Sequence, residues 1–144
     1  MKKFALITLA FFALASGSAL AEDKKVSPEN VDGATTVDAA KAKALFDKGI
    51  LFIDVRSDKD WGAGRVPDAV HIELKKQYNE ASLAKEVKKD QEVVIYCNGP
   101  KCLRSSKAAK QAVGWGYSKV YYFREGYPAW KAAGYPVELN VLLK

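Results

Sequence analysis

Val93-Val94-Ile95-Tyr96-Cys97-Asn98-Gly99-Pro100-Lys101-Cys102-Leu103-Arg104-Ser105-Ser106 reads as a strand, a short loop and the start of a helix. Four β-favouring apolar residues bounded by polar punctuation are the pattern of a strand covered on both faces. Gly99 and Pro100 break it. Ser105 or Ser106 can cap a helix that runs through Ala108, Ala109 and Val113 to Gly114 or Gly116. Both cysteines of the chain lie in the loop. A thiol placed there meets the unpaired N–H groups of a helix N-terminus, with Lys101 and Arg104 beside it, and such surroundings favour thiolate over thiol. The stretch is therefore expected to be an anion cradle, with Asn98, Gly99, Lys101, Arg104 and Ser105 around a nucleophile.

Working outward, the same alternation recurs. Thr35-Thr36-Val37 is a short strand candidate, and Asp38 can cap a helix through Ala44, Leu45 and Phe46 that Gly49 closes. Ile50-Leu51-Phe52-Ile53 is a second buried strand, ending at Asp54-Val55-Arg56. Residues 57–69 read as a long connection with Gly62, Gly64 and Pro67, and residues 69–72 return as a strand. Residues 79–89 have helical spacing at Leu83 and Val87, residues 119–123 form the last strand, and residues 128–133 a short helix. Strands alternating with helices predict an α/β fold with a mainly parallel sheet, whose ligands bind beyond the carboxyl ends of the strands. The cysteine loop lies at such an end. So does Arg56, a further candidate for anion binding, with Asp54 as structural support.

Met1-Lys2-Lys3, an apolar run from Phe4 to Ala15 and Ala19-Leu20-Ala21 before Glu22 make a secretory signal peptide, cleaved after Ala21. The apolar run is shorter than the ~20 residues of a membrane span, and no later segment is long and apolar enough to make one, so no stable membrane insertion is expected after cleavage. The short n-region points to a bacterial periplasm. Residues 22–34 are polar and read as a flexible leader, which leaves residues 35–144 as one domain. Removing the signal takes two lysines from a formal charge of +6. The remaining mild, intermixed basic charge suits small anions and lacks the clustered face of a nucleic-acid binder.

Phe52-Ile53-Asp54-Val55-Arg56, then Asp60-Trp61, Gly64-Arg65-Val66, Asp68-Ala69 and His71-Ile72, resemble the first signature of rhodanese-like domains. The step from Val93 to Cys97 resembles that family's active-site approach. Val120 to Gly126, with Pro128 and Trp130, is similar to its C-terminal signature. The resemblance covers roughly residues 35–138. It implies a three-layer fold, with a central, mainly parallel five-stranded sheet and helices on both faces. It also implies a sulfurtransferase in which a loop cysteine takes a sulfane sulfur from a donor such as thiosulfate and passes it, as a persulfide, to a thiophilic acceptor. No cofactor is implied. The loop departs from the family pattern at three points: Cys102 stands where a cationic or small residue is usual, Arg104 falls seven positions after Cys97, and Tyr96 replaces the histidine of the family's phosphatases.

Cys97 holds the family position of the nucleophile at the strand end. Cys102 lies closer to the helix, and it can be the carrier itself, a resolving thiol or half of a disulfide. A bridge over so small a loop adds little chain-entropy stabilisation. The two cysteines and the single His71 do not make up a metal site. Other readings remain open: a sulfur carrier without turnover, a thiol-redox protein using a Cys97–Cys102 disulfide and, weakest, an arsenate reductase or phosphatase. His71 is expected to be structural, and Trp61, Trp115 and Trp130 to fill the core or rim the pocket.

Overall fold

The computed structural model describes residues 25–140; the expected signal peptide lies outside them. Five parallel strands form one sheet in the order β1-β5-β4-β2-β3: β1 (Ala34–Thr36), β2 (Leu51–Asp54), β3 (Val70–His71), β4 (Val93–Tyr96) and β5 (Val120–Phe123). Between and after them run α1 (Ala39–Asp47), α2 (Asp58–Ala63), α3 (Glu80–Glu86), α4 (Arg104–Gly114) and α5 (Gly126–Ala132). The expected α/β architecture is the one observed.

Period-two alternation along β4 divides the interior. Val93, Ile95 and Cys97 face the layer of α3 and α4, packing with Leu83, Ala108, Ala109 and Ala112. Val94 and Tyr96 face α1 and α5, where Leu45, Phe52 and Trp130 form the opposite cluster. All four β4 residues are fully buried, which is why the strand is an unbroken apolar run. Register places Asp54, Tyr96 and Phe123 in one row at the carboxyl edge, and Cys97 is the next residue beyond it.

Asp38 caps α1 as expected, accepting from the Lys41 N–H at 2.7 Å. Three expectations need correction. The connection 57–69 contains a helix, α2: Ser57 accepts from the Asp60 N–H and donates to its carboxylate at 2.8 Å, a reciprocal cap that starts six residues despite Gly62. Neither Ser105 nor Ser106 caps α4, whose N-cap position is Leu103 with no side-chain hydrogen bond; Ser106 Oγ donates back to the Leu103 carbonyl at 3.0 Å.

The third concerns the leader. Residues 27–33 are strapped to the domain rather than free: Ser27 N–H donates to Pro100 O at 2.7 Å, Arg124 donates to Ser27 O and Tyr122 Oη to Pro28 O. Val31 is buried in the α3–α4 layer. Polar composition hid this because the bonds are accepted by backbone carbonyls, which every sequence has.

The β5–α5 turn approaches the cysteine loop most closely. Gly126 has φ +61° and a Cβ there would collide with the Cys97 carbonyl, which accepts the Tyr127 N–H at 2.9 Å. Gly134 has a similar φ of +75° but open space around it. We expect Gly126→Ala to lower unfolding free energy by roughly 2–4 kcal/mol and Gly134→Ala by about 1 kcal/mol, measured by urea denaturation. Equal costs would mean that the turn does not support the loop through close contact.

Candidate active site

The loop 97–103 is held from several sides. Gly99, at φ +103°, lets the chain fold back so that the Cys102 N–H donates to Gly99 O at 2.9 Å. The Cys97 carbonyl is tied to the start of α5 and the Pro100 carbonyl to Ser27. Cys97 and Cys102 are joined as a disulfide with their Cα atoms 6.4 Å apart. Bridged in this way, Cys97 is wholly buried and Cys102 partly exposed.

Beneath the loop lies a buried ion pair. Asp54 and Arg56 are 0 % and 2 % exposed, and the guanidinium contacts the carboxylate through Nε (2.9 and 3.0 Å) and Nη2 (2.6 Å). Nη2 also donates to Gly64 O at 2.6 Å and Nη1 to Asn98 Oδ1 at 3.3 Å, while the ring of Tyr127 lies 4.4 Å from the guanidinium carbon. Burial works against the Arg56 charge, but hydrogen bonding and attraction to Asp54 outweigh it and raise the pKa. Arg56, expected as an anion-binding group, is thus occupied by internal partners, foremost the Asp54 carboxylate.

Asn98 is similarly engaged, its amide nitrogen donating to Asp60 Oδ2 at 3.0 Å. Burial opposes ionisation of Asp60, yet the hydrogen bonds from Ser57 and Asn98 and the charges of Arg56 and Arg104 hold its carboxyl below the ordinary value. Arg104 is partly exposed and pairs with the buried Glu73 at 3.1 Å. Lys101 is exposed at the loop's apex. Ser105 is fully buried and its hydroxyl has no hydrogen-bond partner among the described residues. The backbone N–H groups of Arg104 and Ser105, in the first turn of α4, likewise find no acceptor there.

Tyr96 belongs to the opposite face of the sheet, where its hydroxyl accepts the Val66 N–H at 3.2 Å, so it does not share the space of Cys97. His71 stacks on Trp61 at 4.8 Å and bonds Arg56 O at 2.9 Å, in keeping with a structural role. Glu73 escaped sequence reading, and Asp60 was read only as part of the signature, without its place beside the loop. Asp60 was findable as the third residue after Ser57; Glu73 meets Arg104 across 31 positions with no local signal.

The chain belongs to the rhodanese-like domain family, whose model matches residues 38–133. Among curated relatives, the thiosulfate sulfurtransferase GlpE of Pseudomonas syringae is 29% identical over 83% of this chain and 96% of its own. A sulfurtransferase of Allochromatium vinosum is 32% identical over 61% of this chain and 78% of its own. The crystal structure of the BH2092 protein from Bacillus halodurans superposes with a TM-score of 0.65 at 27% identity, covering 74% of this chain and 77% of that one.

Removing one partner of the Asp54–Arg56 pair leaves a charge buried and unpaired. We expect Asp54→Ala to cost about 3–5 kcal/mol in chemical denaturation. Arg65→Ala, which breaks the half-exposed pair with Glu138, should cost about 1 kcal/mol or less. A loss below about 1 kcal/mol for Asp54→Ala would show that water reaches the pair and that it does not anchor the loop.

Proposed function

We propose that this protein is an exported sulfurtransferase that carries a sulfane sulfur on Cys97. The observation behind this reading is the setting of Cys97: one residue past a buried strand, in a loop fastened at three backbone points, beside a helix start whose first N–H groups and Ser105 hydroxyl have no partner among the described residues. Those donors suit an anionic sulfur. Kinship with thiosulfate sulfurtransferases supports the donor class. The residue pattern of 1–21 supports export to the periplasm, and an oxidising compartment is where a loop disulfide persists.

In the reduced protein, the Cys97 thiolate attacks the outer sulfur of thiosulfate. The S–S bond of the donor breaks, sulfite leaves with the electron pair, and a Cys97 persulfide remains. A thiophile such as cyanide then attacks the outer sulfur and leaves as thiocyanate, returning the thiolate. Lys101 attracts the dianion from the loop's apex. Ser105 and the first-turn N–H groups of α4 hold the charged sulfur, and Arg56, Asp54 and Asn98 keep the loop in place. The bridged form is closed to this chemistry, because the Cys97 sulfur is bonded to Cys102 and no thiolate is present to attack the donor.

The disulfide itself favours a second reading, a thiol-redox protein that cycles between dithiol and disulfide with no sulfur donor. Turnover separates the two. After reduction and desalting, we expect thiocyanate formation from thiosulfate and cyanide, reduced to background in Cys97→Ser. Lys101→Ala should raise KM for thiosulfate roughly two- to fivefold with kcat little changed, since an exposed charge contributes modestly. No thiocyanate from the fully reduced protein would overturn the sulfurtransferase reading.

A further inference from the structure

We propose that Cys102 discharges the persulfide formed on Cys97 within the same loop, releasing hydrogen sulfide, so that the protein reduces sulfane sulfur as well as transferring it. This rests on Cys97 being the sulfur carrier. The two sulfurs are bonded to each other in the structure. The backbone bonds that shape the loop are independent of that bridge: Cys102 N–H to Gly99 O, Tyr127 N–H to Cys97 O and Ser27 N–H to Pro100 O. On reduction the same loop therefore keeps the Cys102 sulfur beside Cys97, and a persulfide on Cys97 has a thiol within its own loop to react with. Reaction inside one loop has the advantage of high effective concentration over any dissolved acceptor.

The Cys102 thiolate attacks the inner, Cys97 sulfur. The Cys97–Cys102 bond forms, the bond between the Cys97 sulfur and the sulfane sulfur breaks, and the outer sulfur leaves as hydrosulfide, taking up the proton that the Cys102 thiol gives up on becoming the attacking thiolate. The sulfane sulfur gains two electrons, supplied by two cysteines that become the disulfide. The product is the bridged loop seen here.

Return to the dithiol needs an external dithiol, and the asymmetry of the bridge directs its attack. Cys97 is fully buried and Cys102 partly exposed. The incoming thiolate therefore bonds to Cys102 and Cys97 departs as thiolate, ready for the next donor; the reductant's second thiol then frees Cys102. Over one cycle thiosulfate and a dithiol become sulfite, hydrogen sulfide and the oxidised dithiol. A bridge spanning so few residues gains little as a staple, so its value lies in this chemistry.

The test is a single turnover without reductant. Purified protein is reduced, desalted and mixed with thiosulfate, and then sulfite, sulfide and intact mass are measured for the wild type, Cys102→Ser, Cys102→Ala and Cys97→Ser. The wild type is expected to release one sulfite and one sulfide per protein and to end two hydrogens light. Both Cys102 variants should release one sulfite and no sulfide, and hold one extra sulfur; Cys97→Ser should release neither. A wild type that keeps the extra sulfur as the Cys102 variants do would overturn this proposal and leave the sulfurtransferase reading standing. Absence of sulfite release in both the wild type and the Cys102 variants would overturn both.

Discussion

Arg56 is almost wholly buried, and its guanidinium is shared among Asp54, Gly64 and Asn98. Burying two charges costs several kcal/mol per ion after relaxation, so such a pair persists only when nearly every donor and acceptor is used. Here the requirement does the positioning. To satisfy Arg56, the end of β2, the end of α2 and the residue after Cys97 must lie within hydrogen-bond reach of one side chain. The position of the cysteine loop thus follows from satisfying one buried cation.

The second constraint is close backbone approach. Gly126 admits the Cys97 carbonyl to the start of α5, and Gly99 lets the loop fold back on Cys102. Together with the strap at Ser27 these contacts fasten the loop at three backbone points besides its disulfide.

Much of the fold was legible because its strands are buried on both faces. Val93–Tyr96 could be read as a strand from four apolar residues, and the parallel sheet from their alternation with helices. Asp38 announced α1 because its cap is local. Reading failed where the partner was distant or was backbone. The strap at Ser27 and Pro28 depends on Arg124 and Tyr122, almost a hundred positions away. Arg56 looked like an anion-binding residue because a cation at a strand end carries no mark of having been claimed by Gly64 and Asn98. Ser105 looked like a cap and is instead a buried hydroxyl without a partner among the described residues. At the site, Cys97 and Cys102 were legible as a pair, and it is their bonding that only the three-dimensional structure displays.

Lys101 lies between the two cysteines, so trypsin places them in different peptides, residues 90–101 and 102–104. The most direct measurement is therefore to mix reduced wild-type protein with thiosulfate labelled at its outer sulfur, trap persulfide by rapid alkylation, digest and locate the label. The account predicts it on the Cys97 peptide at the earliest times. Label first on the Cys102 peptide, or on neither, would contradict it.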